Sequence, residues 1–284
     1  MRLATRFSAY LQVAPLTLVF VGFLFFPLLA IVVVSFWDYT AYTMVPTFVL
    51  TNYRDVLSSS VTYTTYVNTF KYAGFTWFFT LTIGFTVAYF LAFHVRTFIW
   101  QLVLFLICTV PFLTSNIIRM ISWVPFLGRH GILNSTLQAM GLISEPLEFL
   151  LFSDFAVVLA FVHLYTLFMV IPIFNSMMRI DRSLLAAAAD CGASDGQVLR
   201  DVIIPLSKPG MAIGSIFVVI LVMGDFITVR LMSGGQSASV GLMMMNQIAL
   251  LQYPAAAANA VILLIVTLLI VMAMVRIVDI RKEL

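Results

Sequence analysis

Asp225 is the one carboxylate lying well inside a long apolar run of this chain. An ionisable group in hydrocarbon costs at least about 2.5–3.5 kcal/mol on insertion scales, so it needs a charged partner or a water-filled cavity. Its own stretch supplies no cation at helical spacing. Arg230 is five positions on, about 140° around a helix of 3.6 residues per turn, which excludes a local i,i+4 pair. Two readings remain: Asp225 pairs across helices with Lys71 or Arg119, or it forms part of the wall of a substrate passage. Asn116, Arg119 and Trp123 form a second constellation, spaced by three and then four residues, which places them on one face of a helix. An amide, a guanidinium and an indole so arranged line a polar route or brace the outer end of a span.

Other chemistries lack their residues. A phosphate loop needs Gly-Lys-Ser/Thr, whose lysine reaches the phosphates. Lys71, Lys208 and Lys282 follow Phe70, Ser207 and Arg281. The chain is therefore expected to bind no ATP in that manner, and any ATP-driven activity requires a separate subunit. His94, His130 and His163 are isolated from one another, with no His-Glu-x-x-His spacing, and no metal site or catalytic residue is expected. His163, in an apolar run, reads as a hydrogen-bonded interior residue. No serine lies in a Gly-x-Ser-x-Gly context. Cys108 and Cys191 fall in an apolar run and a polar segment, and are not expected to pair.

The elements that must position these residues are membrane helices. The 284 residues are 62% hydrophobic and 10% charged, against about 25% charged in soluble domains. A net charge of +3, without a basic run interleaved with aromatics, argues against a nucleic-acid partner and leaves the lipid bilayer as the surroundings. Apolar runs long enough to cross a bilayer, about 17–25 residues, predict six spans. They fall near Val13–Phe36, Phe70–Phe93, Phe98–Ser115, Phe155–Asn175, Met211–Val229 and Ala256–Val275, the third interrupted by Pro111. The uncharged stretch from Val13 to Trp37 exceeds the roughly 7–15-residue core of a cleavable signal and reads as a retained first helix. Gly210, Gly214 and Ser215 open the fifth span at a spacing that lets helix backbones approach closely.

Lysine and arginine favour cytoplasmic loops. With the amino terminus inside, ten of the fifteen fall on the cytoplasmic side: Arg2, Arg6, Arg96, Arg179, Arg182, Arg200, Lys208, Arg276, Arg281 and Lys282. Five fall outside: Arg54, Lys71, Arg119, Arg129 and Arg230. The expectation is an all-α membrane protein with both termini in the cytoplasm. It has a first helix and outer loop over 1–69, a core over 70–278 and a tail over 279–284.

Between the fourth and fifth spans lies a polar segment, 181–210, placed in the cytoplasm by the same charge bias. Asp181 or Ser183 caps a first short helix, and Gly192 ends it as a left-handed C′ residue. Ser194 with Gln197 forms a capping box for a second helix, and Asp195 suits its positive end. Pro205 disfavours a helical Ile204, which predicts that the second helix is short too. The result is a helix–glycine–helix hairpin, either a rigid knob shaped to engage a partner or a loop with interfacial helices.

The hairpin resembles the cytoplasmic loop of permease subunits of type I, binding-protein-dependent ATP-binding-cassette importers. Ala187, Ala188, Gly192, Ala193, Ile203, Pro205, Leu206, Pro209 and Gly210 fall on that pattern. Ala186 stands where the family usually has glutamate, so a polar contact to the ATPase is absent or comes from elsewhere, with Asp190 a candidate. The stretches Thr114–Trp123, Leu127-Gly128, Gly131–Asn134 and Met223–Gly235 resemble the polyamine (spermidine/putrescine) branch, and relatives carrying ferric iron, phosphonates or opines share much of them. The resemblance covers about Phe70 to Lys282. It implies half of a pore in the bacterial inner membrane, completed by a second, related permease. An ATPase dimer carrying ATP and Mg docks at the hairpin, and a periplasmic binding protein delivers the solute. The residues so implicated in ATPase coupling are Ala187, Ala188, Asp190, Gly192, Ala193, Pro205, Pro209 and Gly210. Asp225, Asn116, Arg119 and Trp123 are the candidates for the pathway. The alternative from another class is an ion-coupled secondary transporter with Asp225 as its coupling carboxylate. Such folds commonly show paired repeats, which are not visible here.

Overall fold

The computed structural model describes residues 12–40, 43–95 and 97–277. Arg2, Arg6, Arg96, Arg281, Lys282 and the tail 279–284 lie outside the described residues. Among the described residues, five helices are long and apolar enough to cross a membrane: α1 (Gln12–Val34), α3 (Ser60–His94), α7 (Asp154–Met178), α9 (Asp195–Gly224) and α12 (Tyr253–Ile277). Shorter helices are α2 (Thr51–Ser58), α4 (Phe98–Thr109), α5 (Asn116–Leu127), α6 (Ile132–Ala139), α8 (Arg182–Asp190), α10 (Ile227–Met232) and α11 (Val240–Ala249). The stretch expected to form the third span is broken. Helix α4 stops at Thr109, a 3₁₀ turn occupies Val110–Leu113, and α5 begins at Asn116. Proline has no N–H to donate in a helix interior, and Pro111 sits at this break, while Val110 before it keeps helical angles, φ −50° and ψ −46°.

The chain divides into two compact units, one of Met1–Tyr63 with Met243–Val266 and one of Thr64–Leu242 with Thr267–Leu284. In the first, a two-stranded antiparallel ribbon follows α1, with β1 (Asp38–Tyr39) on β2 (Met44–Val45) and Asp38 opposite Val45. The chain leaving α1 is held by side chains of α2. Buried Asn52 donates through Nδ2 to the carbonyls of Ser35 and Trp37, at 3.1 and 2.8 Å, and the hydroxyls of Tyr53 and Ser35 lie 2.6 Å apart.

In the second unit, α7 and α9 form the central pair. Ala160, Phe161, Met169 and Ile173 of α7 and Val218, Val222 and Met223 of α9 are buried. The small residues decide how close these helices come. A Cβ on Gly210 would collide with the Pro172 carbonyl oxygen, and one on Gly214 would lie 2.7 Å from Met169 Sδ. Helix α3 uses the same device, because a Cβ on Gly84 would lie 2.7 Å from Met169 Cγ. The Gly210/Gly214 spacing therefore marks a backbone approach, as helix pairs in lipid require when no hydrophobic force separates helix from solvent. Ser215 adds a polar tie, accepting from Trp77 Nε1 at 2.8 Å.

Candidate functional site

The hairpin assembles from local signals. Asp181 is the N-cap of α8 and accepts from the Ser183 amide at 2.9 Å, which holds its carboxyl below the usual range. At the other end the chain reverses through Gly192, with φ of +85°. The Ala193 amide donates to the Ala188 carbonyl at 3.0 Å and the Gly192 amide to the Ala189 carbonyl at 2.8 Å. This 6→1 and 5→2 pair is a Schellman closure. The Ser194–Gln197 capping box is formed, with the Ser194 amide donating to Gln197 Oε1 at 2.8 Å. Ala187, Ala188, Asp190, Gly192 and Ala193 thus sit together on one compact knob.

Pro205, Pro209 and Gly210 lie elsewhere, because the second helix is not short. From Asp195 it runs through a π-turn at Leu199–Ile203 into the long helix ending at Gly224, and Ile204 is fully helical. A widened i→i+5 turn just ahead of Pro205 places the proline at the start of a new α segment, where its missing N–H breaks no bond. The expected stop is thereby absorbed, and the knob is continuous with a membrane-crossing helix. Pro209 is inside that helix, and Gly210 is its contact point with α7.

Asp225 is not in a helix interior. It is the C-cap of α9 with extended backbone, φ −80° and ψ 124°, at the break before α10. Tyr165 OH on α7 and Thr228 Oγ1 donate to its Oδ2 at 2.7 and 2.8 Å, and the Thr228 amide donates to Oδ1 at 2.9 Å. Of the two readings of Asp225, the ion pair with Lys71 or Arg119 is absent among the described residues. The carboxylate is met by three uncharged donors, two of them on the next helical turn. Oδ1, with one bond, keeps acceptor capacity.

Lys71 is engaged by a group that the sequence reading passed over. Its Nζ pairs with Asp154, whose Oδ1 also accepts from Tyr72 OH at 2.6 Å, and Tyr72 OH lies 2.6 Å from Ser237 Oγ. The signal was available: Ser153 and Asp154 precede an apolar run, a helix-start signature, and Ser153 does cap α7.

Asn116, Arg119 and Trp123 are all on α5, as their spacing predicts. Trp123 Nε1 donates to His163 Nδ1 on α7 at 3.2 Å, so His163 is a hydrogen-bonded residue. The Arg119 guanidinium lies over the Phe112 ring at 5.9 Å. Arg119 Nε and Asn116 Oδ1 are buried with no hydrogen-bond partner among the described residues. Arg119, His163, Phe112 and Thr166 border a cavity of about 160 Å³. Arg119 thus brings an unsatisfied donor to this cavity, suited to an acceptor such as a water or hydroxyl oxygen, and Asn116 is not among the residues that line it.

Long apolar helices carrying a polar, glycine-closed hairpin, with a hydrogen-bonded carboxylate at a helix break, make this a multi-pass helical membrane protein. The chain belongs to the family described as binding-protein-dependent transport system inner membrane component, whose model matches residues 80–283. It is 36% identical over 187 residues to the spermidine/putrescine transport system permease protein PotB of Salmonella typhimurium (strain SL1344), a match covering 66% of this chain and 64% of that protein. The matched stretch thus spans a little under two-thirds of that relative. Over 106 residues it is 30% identical to the permease protein PotC of the same kind of system from Escherichia coli (strain K12), covering 37% of this chain and 40% of PotC. In fold it resembles a chain from a bacterial ABC transporter involved in the import of the acidic polysaccharide alginate. There the TM-score is 0.77 with 18% identity, and 98% of each chain is covered.

Proposed function

We propose that this chain is a permease subunit of an ATP-driven importer and that its cargo is a polyamine or similar small organic cation. The observation that carries the reading is the Schellman-closed hairpin running without a break into α9. A rigid knob that is one piece with a crossing helix converts displacement of the knob into tilt of that helix, which is what an energy-transducing contact requires.

The knob, with Ala187, Ala188, Asp190, Gly192 and Ala193, docks on a separate ATPase dimer in the cytoplasm. Pro205, Pro209 and Gly210 carry the displacement to the α7–α9 contact. Residues 98–127 supply a sixth crossing through their broken helix, which puts both termini on the cytoplasmic side. A second, related permease completes the pore, and the similarity to both PotB and PotC supports a pair of unlike chains. A periplasmic binding protein, in keeping with the family's description, delivers the solute. Asp225 forms part of the passage wall together with Asn116, Arg119 and Trp123, its spare acceptor sites turned to account by an ammonium group. The cation assignment rests on similarity to spermidine/putrescine permeases.

The test is uptake of radiolabelled spermidine and putrescine into proteoliposomes containing this chain with its ATPase, second permease and binding protein. ATP-dependent uptake that vanishes when any one component is left out is the expected result. Uptake by this chain alone, driven by a proton or sodium gradient, would overturn it.

A further inference from the structure

The cytoplasmic-hairpin end of α3 is finished in an unusual way. Its last turn, Phe90–His94, is a π-turn closed by the Val95 amide on the Phe90 carbonyl at 3.3 Å. A helix end leaves its last carbonyls without intrahelical partners, and here two side chains from other helices collect them. Gln101 of α4, only 8% exposed, donates through Nε2 to the carbonyls of Leu91 at 3.0 Å and Val95 at 2.9 Å. Arg182, the first residue of α8, donates through Nη2 to the carbonyl of buried Ala92 at 3.5 Å. A guanidinium at this place also faces the negative end of the α3 dipole.

The hairpin consequently has two holds on the rest of the second unit. One is covalent, because α9 continues through the Leu199–Ile203 π-turn. The other is Arg182 on α3. Both holds meet π-turns, at Leu199–Ile203 and at Phe90–His94, where the helical hydrogen-bond register shifts. Arg200, exposed like Arg182, pairs with its neighbour Asp201 at 4.0 Å and has no such bond to another helix among the described residues.

We infer that Arg182 is a positioning residue for energy coupling, holding the end of α3 to the hairpin so that α3 and α9 move together when the hairpin is displaced. This rests on the hairpin being the ATPase-docking element. Gln101 clamps the same π-turn to α4, so the displacement reaches α4 as well. Without the Arg182 bond the hairpin would drive α9 alone, and the passage would open incompletely for each ATP consumed.

The experiment compares wild type, Arg182→Ala, Arg182→Lys, Arg200→Ala and Gly192→Val in the complete complex in proteoliposomes. It reads spermidine taken up per ATP hydrolysed, the yield of assembled complex, and hydrogen exchange of the amides at 90–95 with and without ATP. Arg182→Ala is expected to assemble at wild-type yield and to move at least about fivefold less spermidine per ATP, a coupling loss of ordinary size. Its amides at 90–95 should no longer respond to ATP. Arg182→Lys, which keeps a cationic donor, should recover most of both, and Arg200→Ala should match wild type. An Arg182→Ala complex with wild-type stoichiometry and a wild-type exchange response overturns the inference, as does a loss explained wholly by lower assembly. If Gly192→Val uncouples while Arg182→Ala does not, only the role of Arg182 falls. If neither uncouples, the docking role of the hairpin falls with it.

Discussion

At Gly192 the backbone φ is +85°, and a Cβ built there would meet nothing within 4 Å. Any penalty for a side chain is therefore conformational, with no clash to relieve. Left-handed backbone costs an L-residue about 1–2 kcal/mol, and a β-branched residue fares worst. Gly192→Val should open the Schellman closure and misalign the knob while the membrane helices assemble as before. Uptake per ATP should fall while complex yield holds. Normal coupling in that variant would rule out the hairpin as the transmitting element. Asp225 asks a different question, because three donors converge on its two oxygens. Asparagine keeps one oxygen and places an NH₂ where the other stood, leaving at least one donor unmatched at about 1–3 kcal/mol. Asp225→Asn should lower the yield of assembled complex, and the complexes that do form should take up less spermidine. Thr228→Val should lower yield in the same direction. An Asp225→Asn variant normal in both assays would remove the residue from the helix break and from the passage alike.

Among the elements, the α7–α9 contact is the one that tolerates least change. Gly210 and Gly214 bring α9 within backbone distance of Pro172 and Met169, leaving no room for a Cβ. Overpacking a close contact costs about 1–3 kcal/mol or more when backbone atoms are the obstacle. Gly210→Leu should abolish assembly or sharply reduce the melting temperature of the purified complex. Gly74 on α3 is the matched control, since a Cβ there meets nothing within 4 Å. Gly74→Ala should leave the melting temperature unchanged or raise it, by up to about 1 kcal/mol of helix propensity. Thermal unfolding of the two variants side by side checks both halves. The π-turns belong to this scale as well: the one ahead of Pro205 lets the helix continue past an apparent stop, and the one ending α3 leaves carbonyls that side chains of neighbouring helices satisfy.

For the whole molecule, the decisive property is what the chain leaves to others. No phosphate loop stands anywhere in its 284 residues, so the purified chain should bind no nucleotide, and isothermal titration with Mg-ATP should register no saturable heat. Nucleotide binding by the isolated chain would overturn the division of labour proposed here. The helices also differ in how far this chain covers them. Half of the most apolar window of α7 and of α9 is buried, against none of that of α1. Helices α7 and α9 are thus interior to this chain, while α1 presents its apolar side chains to whatever surrounds it.

Much of this was open to inspection in the sequence because its cause is local. Apolar runs of crossing length report membrane helices directly, and among the described residues five of the six expected spans fall on long helices, although the fifth, expected to reach Val229, ends at Gly224. Asp181, Gly192 and the Ser194–Gln197 pair act over three or four residues, so composition and spacing suffice to place the caps of the hairpin. The small residues at 210 and 214 announced a close contact without saying with what. Tertiary structure decided the rest. Whether Pro205 ends a helix depended on a π-turn, a balance of one hydrogen-bond register against another that propensity does not resolve. Lys71 found Asp154, 83 positions away, and Asp225 found Tyr165, 60 positions away. Arg182 reached Ala92 across 90. Which donor meets which carboxylate, and which guanidinium meets which carbonyl, is set by helix packing, because a polar group in an apolar interior takes whatever partner the neighbouring helices bring within reach.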